Sequence, residues 1–382
     1  MHKDKGLIMD NTFDEKYMKR AIELAKKGVG AVNPNPLVGA VIVKDGKIIG
    51  EGYHTRYGCL HAEREAIRSL KESAEGASIY VTLEPCCHTG KQPPCTEAIV
   101  ESGITRVYVG SDDPNPLVAG KGTAYLKEHG VEVVTGVLKE ECDAINRVFF
   151  HYITTGRPYI VFKYAMSADG KIATSAGESR WISCEESRKR VQEMRRELTG
   201  IMVGSGTVLA DNPMLNYRGG TDKSGVSRQP VRIVCDSRLR IPEDSKLVRT
   251  AAEQKTIVCC SSESGVDTAK IKRLEAAGVE LLDLPVDSGT GSINLSTMLD
   301  RLGEKKIDGI LLEGGGGLAD SFVRAGLIDE IRAFIAPKLI GGKEAKTPVE
   351  GRGVKMLADA CELQLISAGQ VGDDIMLTYL RR

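Results

Sequence analysis

Pro85-Cys86-Cys87-His88-Thr89-Gly90-Lys91-Gln92-Pro93-Pro94-Cys95 is the stretch that decides how this chain is read. An apolar run, Ser78 to Leu83, reads as a buried strand leading into it, and Thr96 to Gly103 reads as a helix leading out. Cysteines at the end of a strand and the start of a helix are well placed to meet a third group brought from elsewhere in a layered α/β domain. Upstream, His61-Ala62-Glu63 opens another helical pattern, His61 to Leu70.

His61, Cys86 and Cys95 together offer one imidazole and two thiolates, three ligands of a tetrahedral zinc ion. A fourth position left to water is what separates a catalytic from a structural site. Zinc brings the pKa of bound water towards neutrality, and Glu63, two residues from a ligand, is placed for general acid/base work. Zinc deaminases of nucleobases pair H-x-E with P-C-x-x-C; here the second cysteine comes only at Cys95. Cys87 is read as a bystander, because adjacent residues seldom both face one ion.

Around this core the pattern alternates. Asp14 to Gly28 reads as a helix, Val38 to Val43 and Lys47 to Tyr53 as a hairpin turning at Asp45-Gly46, and Ile104 to Gly110 as a strand. Gly122 to Gly130, Val131 to Val134 and Lys139 to Tyr152 read as helix, strand and helix. Thr154 to Pro158 forms a turn-rich break. A second alternating part follows: a helix Glu185 to Glu197, strands Tyr159 to Tyr164, Gly200 to Val203, Val231 to Cys235, Thr256 to Cys259 and Ile307 to Glu313, a helix near Lys270 to Ala277, and late strands Glu330 to Ile335 and Asp374 to Leu380. At 382 residues, two domains are expected.

Lys and Arg total 52 against 52 Asp and Glu, with no marked excess in either half, so no nucleic-acid surface is indicated. The polar Met1 to Asn11 lacks a signal-peptide core and no long apolar run follows. No membrane partner and a cytoplasmic location are expected, and the ten cysteines read as thiols.

The segments Asn35-Pro36-Leu37-Val38-Gly39-Ala40, His61-Ala62-Glu63, Pro85-Cys86 to Cys95, and Asp113-Pro114-Asn115-Pro116 resemble the deaminase domain of the bifunctional riboflavin biosynthesis deaminase/reductase family. The long cysteine spacing is characteristic of that family, whereas cytidine and tRNA adenosine deaminases use the short one. Gln92 stands where the family more often shows threonine. Phe162 to Ala173, Val203-Gly204-Ser205-Gly206-Thr207 with Asp211-Asn212-Pro213, and Glu313-Gly314-Gly315-Gly316-Gly317 are similar to its reductase domain. Taken alone, that glycine run before a helix is equally a phosphate cradle or a flexible turn.

The resemblance implies a cytidine-deaminase-like three-layer domain over 12–153 and a dihydrofolate-reductase-like α/β domain over 158–382. It implies one zinc ion, NADPH, and a small phosphorylated pyrimidine, 2,5-diamino-6-(5-phosphoribosylamino)pyrimidin-4-one, deaminated and then reduced from ribosyl to ribityl. By position, Asn35, His54, Lys91, Asp113 and Asn115 face the first substrate. Ala165, Trp181, Thr207, Asp211, Ser237, Gly315, Gly316, Gly317, Leu318, Ala319, Asp320 and Ser321 line the cofactor site. Ser179, Arg195, Met214, Arg218 and Glu313 face the second substrate, with Lys163 a further candidate for positioning or polarising the opened sugar. A homo-oligomer is expected.

Blander readings stand beside these. His54 and Lys91 can be surface residues, Trp181 core, and Arg195 part of a solvated face. A nucleoside or tRNA-base deaminase with an accessory domain, and a non-catalytic zinc-stabilised module in which Glu63 has no duty, are the rival functions.

Overall fold

In the computed structural model, residues 14–89, 92–115, 118–220 and 228–382 are described. The chain divides into two compact units between Phe150 and His151, a few residues before the turn-rich break at Thr154 to Pro158.

The first unit runs α1 (Glu15–Ala25), β1 (Gly39–Lys44), β2 (Lys47–Tyr53), α2 (Ala62–Arg68), β3 (Ser78–Leu83), α3 (Cys95–Glu101), β4 (Arg106–Ser111), α4 (Lys121–Glu128), β5 (Glu132–Val134) and α5 (Lys139–Ile145), with α6 (Arg147–Thr155) crossing the division. Its five-stranded sheet has the order β2-β1-β3-β4-β5, antiparallel through β2, β1 and β3 and parallel from β3 to β5. The central strands are buried on both faces, hence their nearly unbroken apolar sequence. Ala40, Ile42, Ile79 and Val81 pack with Ala62 and Ala66 of α2, Ile99 of α3 and Leu126 of α4. The alternate residues Val41, Val43, Tyr80 and Tyr108 pack with Tyr17, Met18, Ala21 and Ile22 of α1. Three layers result. A side chain at Gly52 would overlap the backbone of Ala66, so this glycine lets α2 lie directly on β2.

The sequence reading of one helix over Lys139 to Tyr152 is corrected. The helix breaks at Asn146, which is buried and turns its amide to another segment, accepting from Leu37 N at 2.8 Å and donating to Leu37 O at 3.0 Å.

The second unit continues with β6 (Tyr159–Ser167), α7 (Glu185–Glu197), β7 (Gly200–Gly204), α8 (Ser205–Asp211), β8 (Val231–Cys235), α9 (Lys246–Arg249), β9 (Thr256–Cys260), α10 (Thr268–Ala276), β10 (Val279–Asp283), α11 (Leu295–Glu304), β11 (Gly309–Gly314), α12 (Gly316–Arg324), β12 (Glu330–Ala336), β13 (Leu363–Val371) and β14 (Asp374–Arg381). The sheet order is β10-β9-β8-β7-β11-β6-β12-β14-β13, parallel from β10 to β12 and antiparallel at the last two strands. Phe162, Met202, Ile233, Ile257 and Leu312 meet α11 and α12 on one face. Ile201, Val203, Val234 and Val258 meet α8, α9 and α10 on part of the other. Cys259 and Cys260 are both buried, in line with a packing role. The edge strand β13 is exposed along most of its length, so it has no hydrophobic period to mark it in the sequence. Among the described residues no helix is long and apolar enough to cross a membrane.

Candidate active sites

In the first unit, the ends of β3, α2 and α3 converge. His61 occupies the position just before α2, Cys86 follows β3, and Cys95 is the first residue of α3. Their ligand atoms lie within 4.8 Å of one another, with both sulfurs 3.4 Å from His61 Nδ1. The strand-to-helix loop is closed by the Cys86 carbonyl, which accepts from Cys95 N at 3.0 Å and Thr96 N at 3.2 Å.

The electrostatics of this cluster ask for a cation. Hydrogen bonding from Cys95, with further help from His61, holds the Cys86 thiol down at about 4. The same Cys86 thiolate, together with burial, drives the Cys95 thiol well up. One buried pair thus carries one charge where a metal would let both sulfurs ionise. Nitrogen plus two sulfurs within bonding reach of a single point fits zinc.

Glu63 lies in the first turn of α2, 3% exposed, and burial followed by the Cys86 thiolate pushes its carboxyl up to about 7. A divalent cation among the three ligands would pull it back down.

His54 is buried rather than a surface residue, and its ring stands edge-on to His61 with centroids 5.5 Å apart. Its Nδ1–H donates to Leu60 O at 3.0 Å, which leaves Nε2 to accept from Asn35 Nδ2 at 3.2 Å. Burial lowers its pKa and favours this neutral form. Asp113 is buried as well, its carboxyl raised to about 6 by burial, and its Oδ1 accepts from Asn115 N at 2.9 Å. The carbonyl of Asn115 in turn accepts from Val118 N and Ala119 N. Lys91 lies outside the described residues.

Sequence reasoning missed Glu84. Buried beside Pro85, it accepts from Gly120 N and Thr123 N, both at 3.0 Å, and so caps α4. A side chain at Gly122 would overlap the Pro85 carbonyl, so this turn of α4 sits directly on the loop that carries Cys86. An acidic residue directly before Pro-Cys was the available signal.

In the second unit a cavity of about 1600 Å³ opens along the C-terminal ends of the parallel strands. Such an edge is where open α/β sheets take ligands. Gly315, with φ +90°, adopts backbone that favours glycine and turns β11 into α12, bringing the first N–H groups of α12 to the cavity wall. Thr207 packs against Gly314, and Leu318 against Gly204. This arrangement of helix-terminal amides and small residues fits a dinucleotide's phosphates.

Leu312 and Phe162 are register partners facing the core, so the next residues, Glu313 and Lys163, face the cavity together. Arg195 of α7 grips Glu313 with a fork, Nε to Oε1 and Nη2 to Oε2 both at 2.7 Å, and Nη1 reaches Asn216 O at 3.0 Å. Their side chains are only 13% and 7% exposed, so Arg195 is no part of a solvated face. Against the cost of burial, Arg195 draws the Glu313 carboxyl below its usual range, whereas burial lowers Lys163.

Ala165, Ser179, Asp211, Arg218, Ser237, Gly316, Gly317 and Ser321 also line the cavity. So does Trp181, which is 61% exposed and not core, with the Arg188 guanidinium 4.6 Å over its ring. Met214, Ala319 and Asp320 are not among the lining residues. Ala319 packs into the core, Asp320 turns to Arg324 at 3.0 Å, and the Met214 carbonyl faces Arg232. Glu350, whose N–H donates to Gly316 O at 3.1 Å, was missed because nothing local marks it.

Comparison with known proteins accounts for both units. The cytidine and deoxycytidylate deaminase zinc-binding region matches residues 11–111, and the RibD C-terminal domain matches 158–377. The riboflavin biosynthesis protein RibD of Actinobacillus pleuropneumoniae is 52% identical over 96% of this chain and 95% of its own. That of Bacillus amyloliquefaciens is 44% identical over 96% of each. An Acinetobacter baumannii RibD structure superposes with a TM-score of 0.84 at 37% identity, covering 97% of this chain and 99% of that one. A Thermotoga maritima diaminohydroxyphosphoribosylaminopyrimidine deaminase/5-amino-6-(5-phosphoribosylamino)uracil reductase gives 0.83 at 38%, covering 96% and 98%. These likenesses span both units, which sets aside a nucleoside or tRNA-base deaminase with an accessory domain. The chain belongs to the RibD family of riboflavin biosynthesis, bifunctional enzymes that join a zinc-binding deaminase domain to a reductase domain.

Proposed function

We propose that the first unit removes the 2-amino group of 2,5-diamino-6-(5-phosphoribosylamino)pyrimidin-4-one as ammonia, and that the second reduces the product's ribosyl group to ribityl with NADPH. The observation that carries the first half is a buried Glu63 two residues from His61, beside two sulfurs that converge on the same point. Zinc, when bound by His61, Cys86 and Cys95, supplies Lewis acidity that brings water within reach of ionisation at neutral pH. Glu63 then takes a proton at its carboxylate and returns it to the departing amine. The Asn35 amide, held at one N–H by His54, presents its oxygen and second N–H to the edge of the base. Asp113 and Asn115 face the substrate from the loop after β4, and Lys91 is assigned to its phosphate.

In the second unit NADPH, when bound, supplies the hydride. The amides of Gly315 to Leu318 hold its phosphates, with Ala165, Trp181, Thr207, Asp211, Ser237 and Ser321 along the same wall. Lys163 and Glu313 orient and polarise the opening sugar, while Arg195, Arg218 and Ser179 receive the substrate. A homo-oligomer in the cytoplasm completes the reading. The uncharged open edge of β13 suits pairing with a second copy. A monomer by light scattering at working concentration would refute the assembly.

The test is Glu63→Gln with zinc retained. Ammonia release should fall by about 10²-fold or more, while NADPH oxidation on the deaminated substrate persists. Undiminished ammonia release, or no NADPH use by the wild type, overturns the corresponding half.

A further inference from the structure

In a P-C-x-x-C site the chain itself places the second thiolate, one helical turn after the first. Here a longer loop separates Cys86 from Cys95, and each added residue widens the ensemble from which the second ligand must be drawn. Pro93 and Pro94 lack N–H groups, so that arm cannot be tied down through its own amides at these positions. It is tied down through its carbonyls. Arg64 Nε donates to Pro93 O at 3.2 Å and Nη2 to Pro94 O at 2.7 Å, the two carbonyls immediately before Cys95. Gln92 Nε2 donates to Gly58 O at 3.2 Å, fastening the same loop to the segment between His54 and His61.

We propose that Arg64 is a positioning residue that holds the Cys95 arm of the metal site, with Gln92 as a second stitch on the same loop. Arg64 sits in the first turn of α2, directly after Glu63, so its fork joins the helix bearing His61 and Glu63 to the loop bearing Cys95. Two donors on one planar group match two successive carbonyls; a lysine ammonium offers a single point of contact. Groups that orient metal ligands in this way commonly govern how tightly the metal is kept. At Gln92 it is the long side-chain amide that reaches Gly58 O.

The inference rests on the zinc reading of His61, Cys86 and Cys95. The experiment follows zinc release from the full-length, zinc-loaded protein to a chromogenic chelator, for wild type, Arg64→Gln, Arg64→Lys and Gln92→Ala. Arg64→Gln should release zinc about 10–100-fold faster, Arg64→Lys at an intermediate rate, and Gln92→Ala faster than wild type but less so than Arg64→Gln. NADPH oxidation by the second unit and thermal unfolding of the metal-free protein, which a merely structural role would lower, should stay at wild-type values. If Arg64→Gln does not fold, Arg64→Lys decides. Wild-type release rates in Arg64→Gln, or in Arg64→Lys where it decides, overturn the inference. A wild type that binds no zinc overturns the metal reading instead.

Discussion

Removing Arg195 isolates the energetics of the reductase cavity. Arg195→Ala deletes three donors at once, two to the Glu313 carboxylate at 2.7 Å and one to Asn216 O at 3.0 Å. What remains is a carboxylate whose side chain is 7% exposed, with Arg218 acting on it and Lys163 beside it, the latter itself disfavoured as a cation by burial. Stripping one partner from a buried ion pair costs about 3–5 kcal/mol, because the survivor keeps its desolvation penalty without its counter-charge. For a unit of this size each kcal/mol is about 2–4 °C in melting temperature. The reductase transition should therefore fall by about 6–20 °C, towards the lower end because Lys163 still offsets part of the charge. Scanning calorimetry of the full chain reads this directly, and NADPH oxidation should be lost. The double variant Arg195→Met with Glu313→Gln removes the stranded charge, so it should regain most of the stability and none of the activity. An Arg195→Ala transition at the wild-type temperature, or a double variant no more stable than the single one, would show that the pair is not the buried unit described.

Two further outcomes follow from close contacts and caps. Gly122→Ala drives a methyl into the Pro85 carbonyl and should displace the Cys86 arm, lowering zinc content and ammonia release while NADPH oxidation continues; full zinc content would refute the contact. Asp169 is held down at about 2, first by the Ser167 hydroxyl and then by the amides of Ile340 and Gly341. Because the folded pKa lies below the ordinary 3.8, its stabilisation is complete above that value and is lost as pH falls from about 4 to about 2. Asp169→Asn should flatten the acid limb of the stability curve in that window, and an unchanged limb would exclude the loop anchor.

Much of the candidate metal cluster was legible because it is written locally: His61 and Glu63 lie two residues apart at the start of α2, and Cys86 and Cys95 flank one loop. The sheets were legible wherever both faces are buried, since β1, β3 and β4 then read as apolar runs. What stayed hidden depends on partners remote in the chain. The break at Asn146 is set by Leu37, the capping role of Glu84 by Gly120 and Thr123, and the burial of Arg195 by Glu313. Helix α7 is so rich in charge that only the partner carboxylate distinguishes Arg195 from its solvated neighbours. Strand β13 went unread because exposure on both faces removes the alternation that marks a strand.

Three proposed duties gather at the start of α2: His61, at the N-cap position, as a ligand, and Glu63 and Arg64, in the first turn, as the proton carrier and the fork. Their mutual spacing is therefore dictated by helical backbone hydrogen bonds and not by tertiary packing, whereas Asn35, Asp113 and Asn115 are carried on loops. Tolerance to change is divided accordingly. On the roles proposed above, drift in the loops would retune which base is accepted while the reacting geometry is inherited intact, but a single insertion in that turn would scramble ligand, proton carrier and clamp together.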